Sequence, residues 1–192
     1  MPRYHSSIHR PVFPSQVSSY SSLSGALTPP PSQFISSRRQ RVPQSASKIS
    51  TGPICGPIDF DYIGQAGQGV SMADFSVRSQ NAISQMVAGA NEQILAGTGV
   101  VMIKLRIMAS WAGYEHLNFT QSMPASPEIS RGQLGARVAL QFWLFVELAQ
   151  KSSSTNPKWN INRTTIPFEK IFLVALHSIG NDIWQADVAV DL

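Results

Sequence analysis

The sequence predicts an α+β domain that follows a disordered N-terminal arm. Apolar residues recur at three- and four-residue steps between residues 71 and 97, which is the period of an amphipathic helix. From residue 100 apolar and polar residues alternate, which is the period of a strand, and the chain ends in two β-rich runs separated by a turn. One helix followed by several strands is typical of the α+β class. A chain of 192 residues has room for one such domain, which we place at residues 71–192.

Residues 1–52 are predicted to be a disordered, basic arm. They contain fourteen Ser and seven Pro and show no helical or strand period, so they cannot bury enough apolar surface to offset chain entropy. They carry six Lys or Arg and no acid, whereas the rest of the chain has nine cations and eleven acids, so the positive charge belongs to the arm. Residues 53–70, rich in Gly, are predicted to be a linker, with Phe60, Tyr62 and Ile63 as candidates to anchor it on the domain.

A single helix is predicted over residues 71–97. Ser71 and Asp74 have the spacing of a capping box at its start, and Gly97 ends it. Its apolar stripe consists of Phe75, Ala82, Ile83, Met86, Val87, Ala90 and Ile94.

Strand-forming segments follow this helix. The first covers residues 100–111, with Lys104 and Arg106 on a wet, basic face. The second is predicted over residues 137–148, and a long exposed loop at residues 112–135 joins the two. The last segment is an antiparallel hairpin, because residues that tolerate positive φ interrupt it. This predicted turn consists of Gly180, Asn181 and Asp182.

No motif for catalysis or for phosphate binding is evident. Gly64, Gly67 and Gly69 precede the helix in the order G-x-x-G-x-G, which differs from the dinucleotide fingerprint, and no Lys follows them as in a phosphate-binding loop. The sequence also lacks the nucleophile elbow G-x-S-x-G. A Ser–His–Asp set can be assembled from Ser110, His177 and Asp187, but any chain this rich in Ser allows such a combination. We therefore do not expect an enzyme.

Metal and cofactor sites are not expected either. The four His residues form no i, i+4 pair and lie near no Cys, and His177 is predicted to be a hydrogen-bonded strand residue. The single cysteine, Cys55, excludes an intramolecular disulfide and indicates a reducing compartment. The first thirty residues lack the apolar core of a secretion signal, and the longest apolar run is too short to span a bilayer.

A basic cluster in the arm is the first candidate contact site. Such cations contribute about 1 kcal/mol each near an anionic lipid surface, and they equally neutralise nucleic-acid phosphates. The cluster consists of Arg38, Arg39, Arg41 and Lys48.

A proline triplet and three tryptophans complete the set of candidates. Pro29, Pro30 and Pro31 favour the polyproline II conformation that recognition modules bind. The tryptophans are predicted to be core aromatics, and an exposed cluster would instead mark an interaction surface. They are Trp111, Trp143 and Trp184.

From near Asp74 to its end the chain resembles a rhabdovirus matrix protein. The likeness rests on the order of "FSVRSQNAISQMVAGANEQILAG", "GVVMIKLRIMAS", "ARVALQFWLF" and the terminal "EKIFLVALHSIGNDIWQADV" behind a basic, Pro-containing arm. The lyssavirus-type matrix is the most similar locally. The residues that carry this similarity are Gln141, Phe142, Trp143, Gly180, Ile183 and Trp184.

The resemblance implies a non-enzymatic structural protein without a cofactor. It implies a twisted antiparallel sheet packed against helices, located at the inner face of the viral envelope and at host membranes. Family members bind anionic lipid through the basic arm, self-associate, condense the helical nucleocapsid and drive budding. Pro29–Pro31 occupy the place of the late motif, but Gln33 or Phe34 stands where that motif requires Tyr, which favours a plant or arthropod host.

An RNA-packaging coat or nucleocapsid protein is the alternative. Its basic arm would bind genome phosphates. Six cations make a thin arm for that purpose, and the predicted strands are fewer than the eight of a jelly roll. Charge alone does not decide whether the arm contacts membrane, RNA or the nuclear-import machinery.

Overall fold

The computed structural model describes residues 38–43, 55–107, 111–180 and 182–192. These residues form seven strands, three α-helices and three short 3₁₀ helices. The strands are β1 (Arg39–Arg41), β2 (Ile58–Asp59), β3 (Val70–Ser71), β4 (Met102–Arg106), β5 (Thr120–Pro124), β6 (Ile171–Gly180) and β7 (Ile183–Asp191). The α-helices are α1 (Met72–Val77), α2 (Gln80–Met86) and α3 (Arg131–Ala149), and the 3₁₀ helices cover Glu115–Leu117, Pro157–Trp159 and Phe168–Lys170.

The hairpin of β6 and β7 is the centre of one mixed sheet. Two short strands, β2 and β3, pair with the outer edge of β6, while β1 and β4 pair with the outer edge of β7. Strand β5 extends the sheet beyond β4. The predicted α+β class is confirmed. The sheet differs from the predicted antiparallel one at a single place, because β4 pairs with β7 in parallel.

The terminal hairpin is confirmed as predicted. The turn begins at Gly180, whose φ is 99°, and continues to Asp182, whose φ is 59°. Positive φ is the conformation that Gly and Asp accept with little strain, so the local sequence fixes the turn. Both strands are buried over most of their length, and many of their buried side chains belong to the same hydrophobic core as those of α3.

The predicted strand at residues 137–148 is wrong, because these residues belong to α3. Ser130 caps the helix with a complete capping box, in which its side chain accepts from Gln133 N and Gln133 accepts from Ser130 N. The buried side chains follow helical spacing, not alternation. They include Leu134, Val138, Phe142, Phe145, Val146 and Ala149.

The single helix predicted over residues 71–97 is also wrong, because the segment divides. Helix α1 ends at Val77, and Ser79 caps α2 by accepting a hydrogen bond from Ala82 N. Beyond α2 the chain turns at Gly89, whose φ is 62°, and residues 88–91 and 94–97 form turns instead of helix. Ser and Gly at these points favour caps and turns over a continuous helix.

Strand β4 confirms the predicted alternation, whereas the loop after it is shorter than expected. Ile103 and Leu105 are buried and Lys104 is exposed, as predicted. The predicted loop at residues 112–135 is wrong in its middle, because β5 lies there and pairs antiparallel with β4. Phe119, just before β5, packs its ring 5.6 Å from that of Phe145.

The sheet also includes residues that the sequence assigns to the arm and to the linker. Strand β1 lies within the predicted disordered span 1–52, and β2 lies within the predicted linker 53–70. Phe60 anchors the latter as expected, since its side chain is fully buried and its ring packs edge-on against Phe75. Ile63, the third candidate anchor, is instead exposed.

Tyr62 replaces the predicted capping box at the start of α1. The Ser71 side chain makes no capping bond, and Asp74 instead accepts from Tyr62 Oη at 2.5 Å. Tyr62 Oη in turn accepts from Ser71 N at 3.1 Å. Burial and the bond to Asp74 raise the pKa of Tyr62 well above its usual value. The hydroxyl therefore ties the former linker to the first helix.

We expect Tyr62→Phe to lower the free energy of unfolding by about 1–2 kcal/mol, because Asp74 and Ser71 N lose a partly buried partner. Since the folded pKa of Tyr62 is raised above its unfolded value of 10.0, its contribution is complete below pH 10 and declines as the pH rises further. Urea unfolding at neutral and alkaline pH measures both effects. A variant as stable as the wild type, with the same alkaline decline, would contradict this role.

Candidate interaction surface

The outer side of α3 carries four large exposed apolar side chains. Because they are spaced by three and four residues, they form one stripe over a little more than two helical turns. We call them the α3 surface: Leu140 (54% exposed), Trp143 (45%), Leu144 (41%) and Leu148 (39%). Contiguous exposed apolar side chains of this kind mark contact with a protein or a membrane.

Basic residues stand at both ends of the α3 surface. Arg137 is exposed one turn before it, and Lys151 is exposed just after α3 ends. The Arg137 guanidinium donates to Pro124 O at 2.5 Å, which holds it over the end of β5. Glu147 is the only acidic residue within α3, and it is half-buried. An apolar stripe containing Trp, flanked by cations, has the composition of a helix that lies at an anionic lipid surface.

Trp143 is the exposed member of the predicted tryptophan set. Trp111 and Trp184 are fully buried, as predicted for core aromatics. Trp111 Nε1 donates to Trp159 O at 2.9 Å, whereas Trp184 Nε1 finds no partner among the described residues. Trp143 belongs to helix α3 and not to the strand that was predicted there. Its position on the outer side of the helix directs its side chain away from the core.

Arg39, predicted to contact lipid or RNA, is instead part of the sheet. Its side chain is 15% exposed, and it binds Asp191 through two nitrogens at 3.0 and 3.2 Å. It also donates to Gln68 O at 2.8 Å, and its guanidinium carbon lies 3.5 Å from the centre of the Phe172 ring. A bidentate ion pair and a cation–π contact together hold β1 on β7.

The other members of the basic cluster differ in position. Arg41 Nη1 pairs with Asp187 Oδ2, but this guanidinium remains about half exposed. Arg38 is exposed just before β1, and its carbonyl accepts from Leu192 N at 3.2 Å. Lys48 and the proline triplet Pro29–Pro31 lie outside the described residues. The structure therefore brings Arg39 and Arg41 together on one strand, next to sheet carboxylates.

The glycines before α1 form turns around a carboxylate. Gly64, Gly67 and Gly69 all have positive φ, between 74° and 79°. Gly69 N donates to Asp61 Oδ1 at 3.1 Å. A side chain built at Gly69 would meet Leu173 O at 2.8 Å, so this glycine is required by close packing against β6. With an acidic side chain already bound there, the turn is unsuited to a phosphate.

An open cleft of about 450 Å³ lies beside β6, and two residues of the Ser–His–Asp set considered above line it. His177 and Asp187 share it with Arg41, Asp59 and Asp61, while Ser110 lies outside the described residues. The Asp187 carboxylate is already paired with the Arg41 guanidinium. Among residues 38–43, 55–107, 111–180 and 182–192, no group of three His, Cys, Asp or Glu side chains has the arrangement of a metal site.

No known protein family, curated protein sequence or solved structure matches this chain. Within the part of the chain that the structure describes, no helix combines the length and the apolar character needed to cross a bilayer.

We expect Arg39→Gln to lower the free energy of unfolding by about 2 kcal/mol, because it leaves Asp191 without its bidentate partner and uncovers Phe172. Arg41→Gln is the matched control. It removes an ion pair that is half exposed and should cost less than about 1 kcal/mol. Thermal and urea unfolding of both variants measure the difference. Equal losses would show that Arg39 does not hold β1 on the sheet.

Proposed function

We propose that this chain is a matrix-type structural protein that adheres to the inner face of an anionic membrane and self-associates there. The observation that carries the proposal is the exposed α3 surface between Arg137 and Lys151. The resemblance of the chain to rhabdovirus matrix proteins supports the same function. In this proposal the protein is not an enzyme and needs no cofactor.

The α3 surface acts by shallow insertion. Trp143 and the three leucines leave water for the headgroup region, where burial of apolar area contributes about 25 cal/mol per Å². Since each side chain is only about half exposed, the gain is roughly 1 kcal/mol per residue. Arg137 and Lys151 add attraction to anionic headgroups. A single copy therefore binds weakly, and many associated copies bind firmly.

The geometry favours lipid over RNA as the direct partner. Arg39 and Arg41, half of the predicted basic cluster, already neutralise Asp191 and Asp187. Cations in such pairs release fewer counterions from a nucleic acid, so they contribute less to phosphate binding. An apolar stripe also gains nothing from a phosphate backbone, whereas it gains from a membrane interface. The RNA-packaging alternative has no comparable surface among the described residues.

The remaining parts of the proposal rest on the resemblance alone. They are the virion as location, the nucleocapsid as partner, and a role in budding and in condensing the ribonucleoprotein. Passage through the host cytoplasm or nucleus belongs to the same set.

We expect Leu140→Gln with Trp143→Gln to reduce binding to vesicles that contain anionic lipid at least tenfold, while the thermal midpoint changes little, because both side chains are exposed. Co-sedimentation with vesicles of phosphatidylcholine and phosphatidylserine measures the binding. Single-stranded RNA is titrated in parallel at low and physiological salt.

Val77→Gln is the matched control, because Val77 is an apolar residue on α1 that is even more exposed and lies outside the α3 surface. It should leave vesicle binding unchanged. Vesicle binding that the double variant retains in full would overturn the membrane role of α3. Tight RNA binding at physiological salt, without preference for vesicles, would support the RNA-packaging alternative.

A further inference from the structure

Among the residues that the structure describes, strand β5 forms an open edge of the sheet. It is the last strand beyond β4, and β4 is the strand with which it pairs. An unpaired edge presents backbone N–H and C=O groups that can pair with another chain, and proteins usually shorten or block such edges. The two ends of β5 are blocked in this way, but its middle is not.

The ladder with β4 shows which backbone groups point outward. Ile107 N donates to Phe119 O at 3.1 Å, and Ala125 N donates to Val101 O at 2.9 Å. In an antiparallel pair hydrogen-bonded and non-bonded positions alternate, so odd-numbered residues of this segment face β4. Thr120 and Ser122 therefore direct their backbone N–H and C=O away from the sheet. Within the described part of the chain, these outward groups accept and donate no hydrogen bond.

Two local features limit the length of this edge. At one end Pro124 has no N–H, and its carbonyl accepts from Arg137. At the other end Asn118 has a φ of 45°, and its N–H is bound to Glu115 O. The open edge thus offers four backbone groups, two donors and two acceptors, centred on Gln121. This pattern is its own complement when a second copy is turned by 180°.

We propose that a second copy of this chain pairs its β5 with this β5, antiparallel about a two-fold axis at Gln121. Thr120 exchanges two hydrogen bonds with the partner's Ser122, and Ser122 exchanges two with the partner's Thr120. The sheets of both copies then form one continuous sheet. This inference names a surface for the self-association in the proposed function, but it does not depend on membrane binding.

The charges beside the edge favour a second copy over an unrelated peptide. In the proposed register Pro124 lies next to the partner's Asn118. Arg137, which is fixed on Pro124 O, then approaches the partner's Glu115, an exposed acidic residue three positions before Asn118. The two-fold axis repeats this contact on the other side. Opposite charges meet twice, and complementarity of this kind fixes the orientation of two partners.

The proposed interface is small. It consists of four backbone hydrogen bonds and the two charge contacts of Arg137 with the partner's Glu115, so we expect a Kd of about 10 μM.

Substitution by proline tests the backbone pairing directly. Ser122→Pro removes only an outward N–H, so β4 pairing and the thermal midpoint should be nearly unchanged, while the dimer weakens at least tenfold. Ser122→Ala keeps the N–H and should dimerise as the wild type does. Sedimentation velocity of the full chain over a range of concentrations gives both constants. A wild type that stays monomeric throughout, or a Ser122→Pro variant that dimerises equally, overturns the proposal.

A disulfide tests the register. Residues 121 of the two copies face each other at a non-hydrogen-bonded position, where Cα atoms lie about 4.5 Å apart and a disulfide fits. In a Cys55→Ser background, Gln121→Cys should form a covalent dimer under mild oxidation. Ser122→Cys is the control, because its opposite residue is the partner's Thr120. Equal cross-linking of both cysteines, or of neither, contradicts the two-fold at Gln121. Vesicle binding is measured separately, so either proposal can fail alone.

Discussion

The packing of α3 into the hydrophobic core, against α1 and residues 111–119, is the interaction on which the rest of the structure depends. Phe145 stands at its centre, with four aromatic rings at 5.6 to 6.3 Å. Gly132 and Gly135 let α3 approach α1 and α2 closely. A Cβ at Gly135 would meet the Phe75 ring of α1 at 2.4 Å. A helix held so closely can bury only one side. Because its sequence is apolar on both sides, the other becomes the α3 surface.

The same apolar character explains which elements the sequence predicts and which it hides. Strand β4 and the terminal hairpin are readable, because their alternation and their turn are local signals. In residues 137–148 nine of the twelve positions are apolar, so alternation and helical period both fit, and the strand prediction fails there. The capping box of Ser130 and Gln133 was the signal that could have identified the helix. The residues that make the outer side of α3 apolar therefore also hide its helical period in the sequence.

The candidate site follows the same division between local and distant information. Composition identifies Arg38, Arg39 and Arg41 as a basic cluster, but the partner of Arg39 is Asp191, 152 residues away along the chain. No local pattern contains that contact, so the sequence indicates the charge but not its use. Likewise Trp143 could be named as a candidate, whereas its exposure depends on how α3 packs. Tyr62 was expected as an anchor, and its bond to Asp74 was not foreseeable from spacing.

The two proposed surfaces reinforce each other through the symmetry of a sheet. When antiparallel strands pair about a two-fold axis, residues opposite each other point to the same face, so the axis is perpendicular to the sheet. Both α3 helices would then lie on one face of the joined sheet, and both α3 surfaces would face the same direction. A flat membrane could contact them at once, which makes the second contact intramolecular. Pairing in the opposite sense, face to face, would bury the α3 surfaces against each other and lose that advantage.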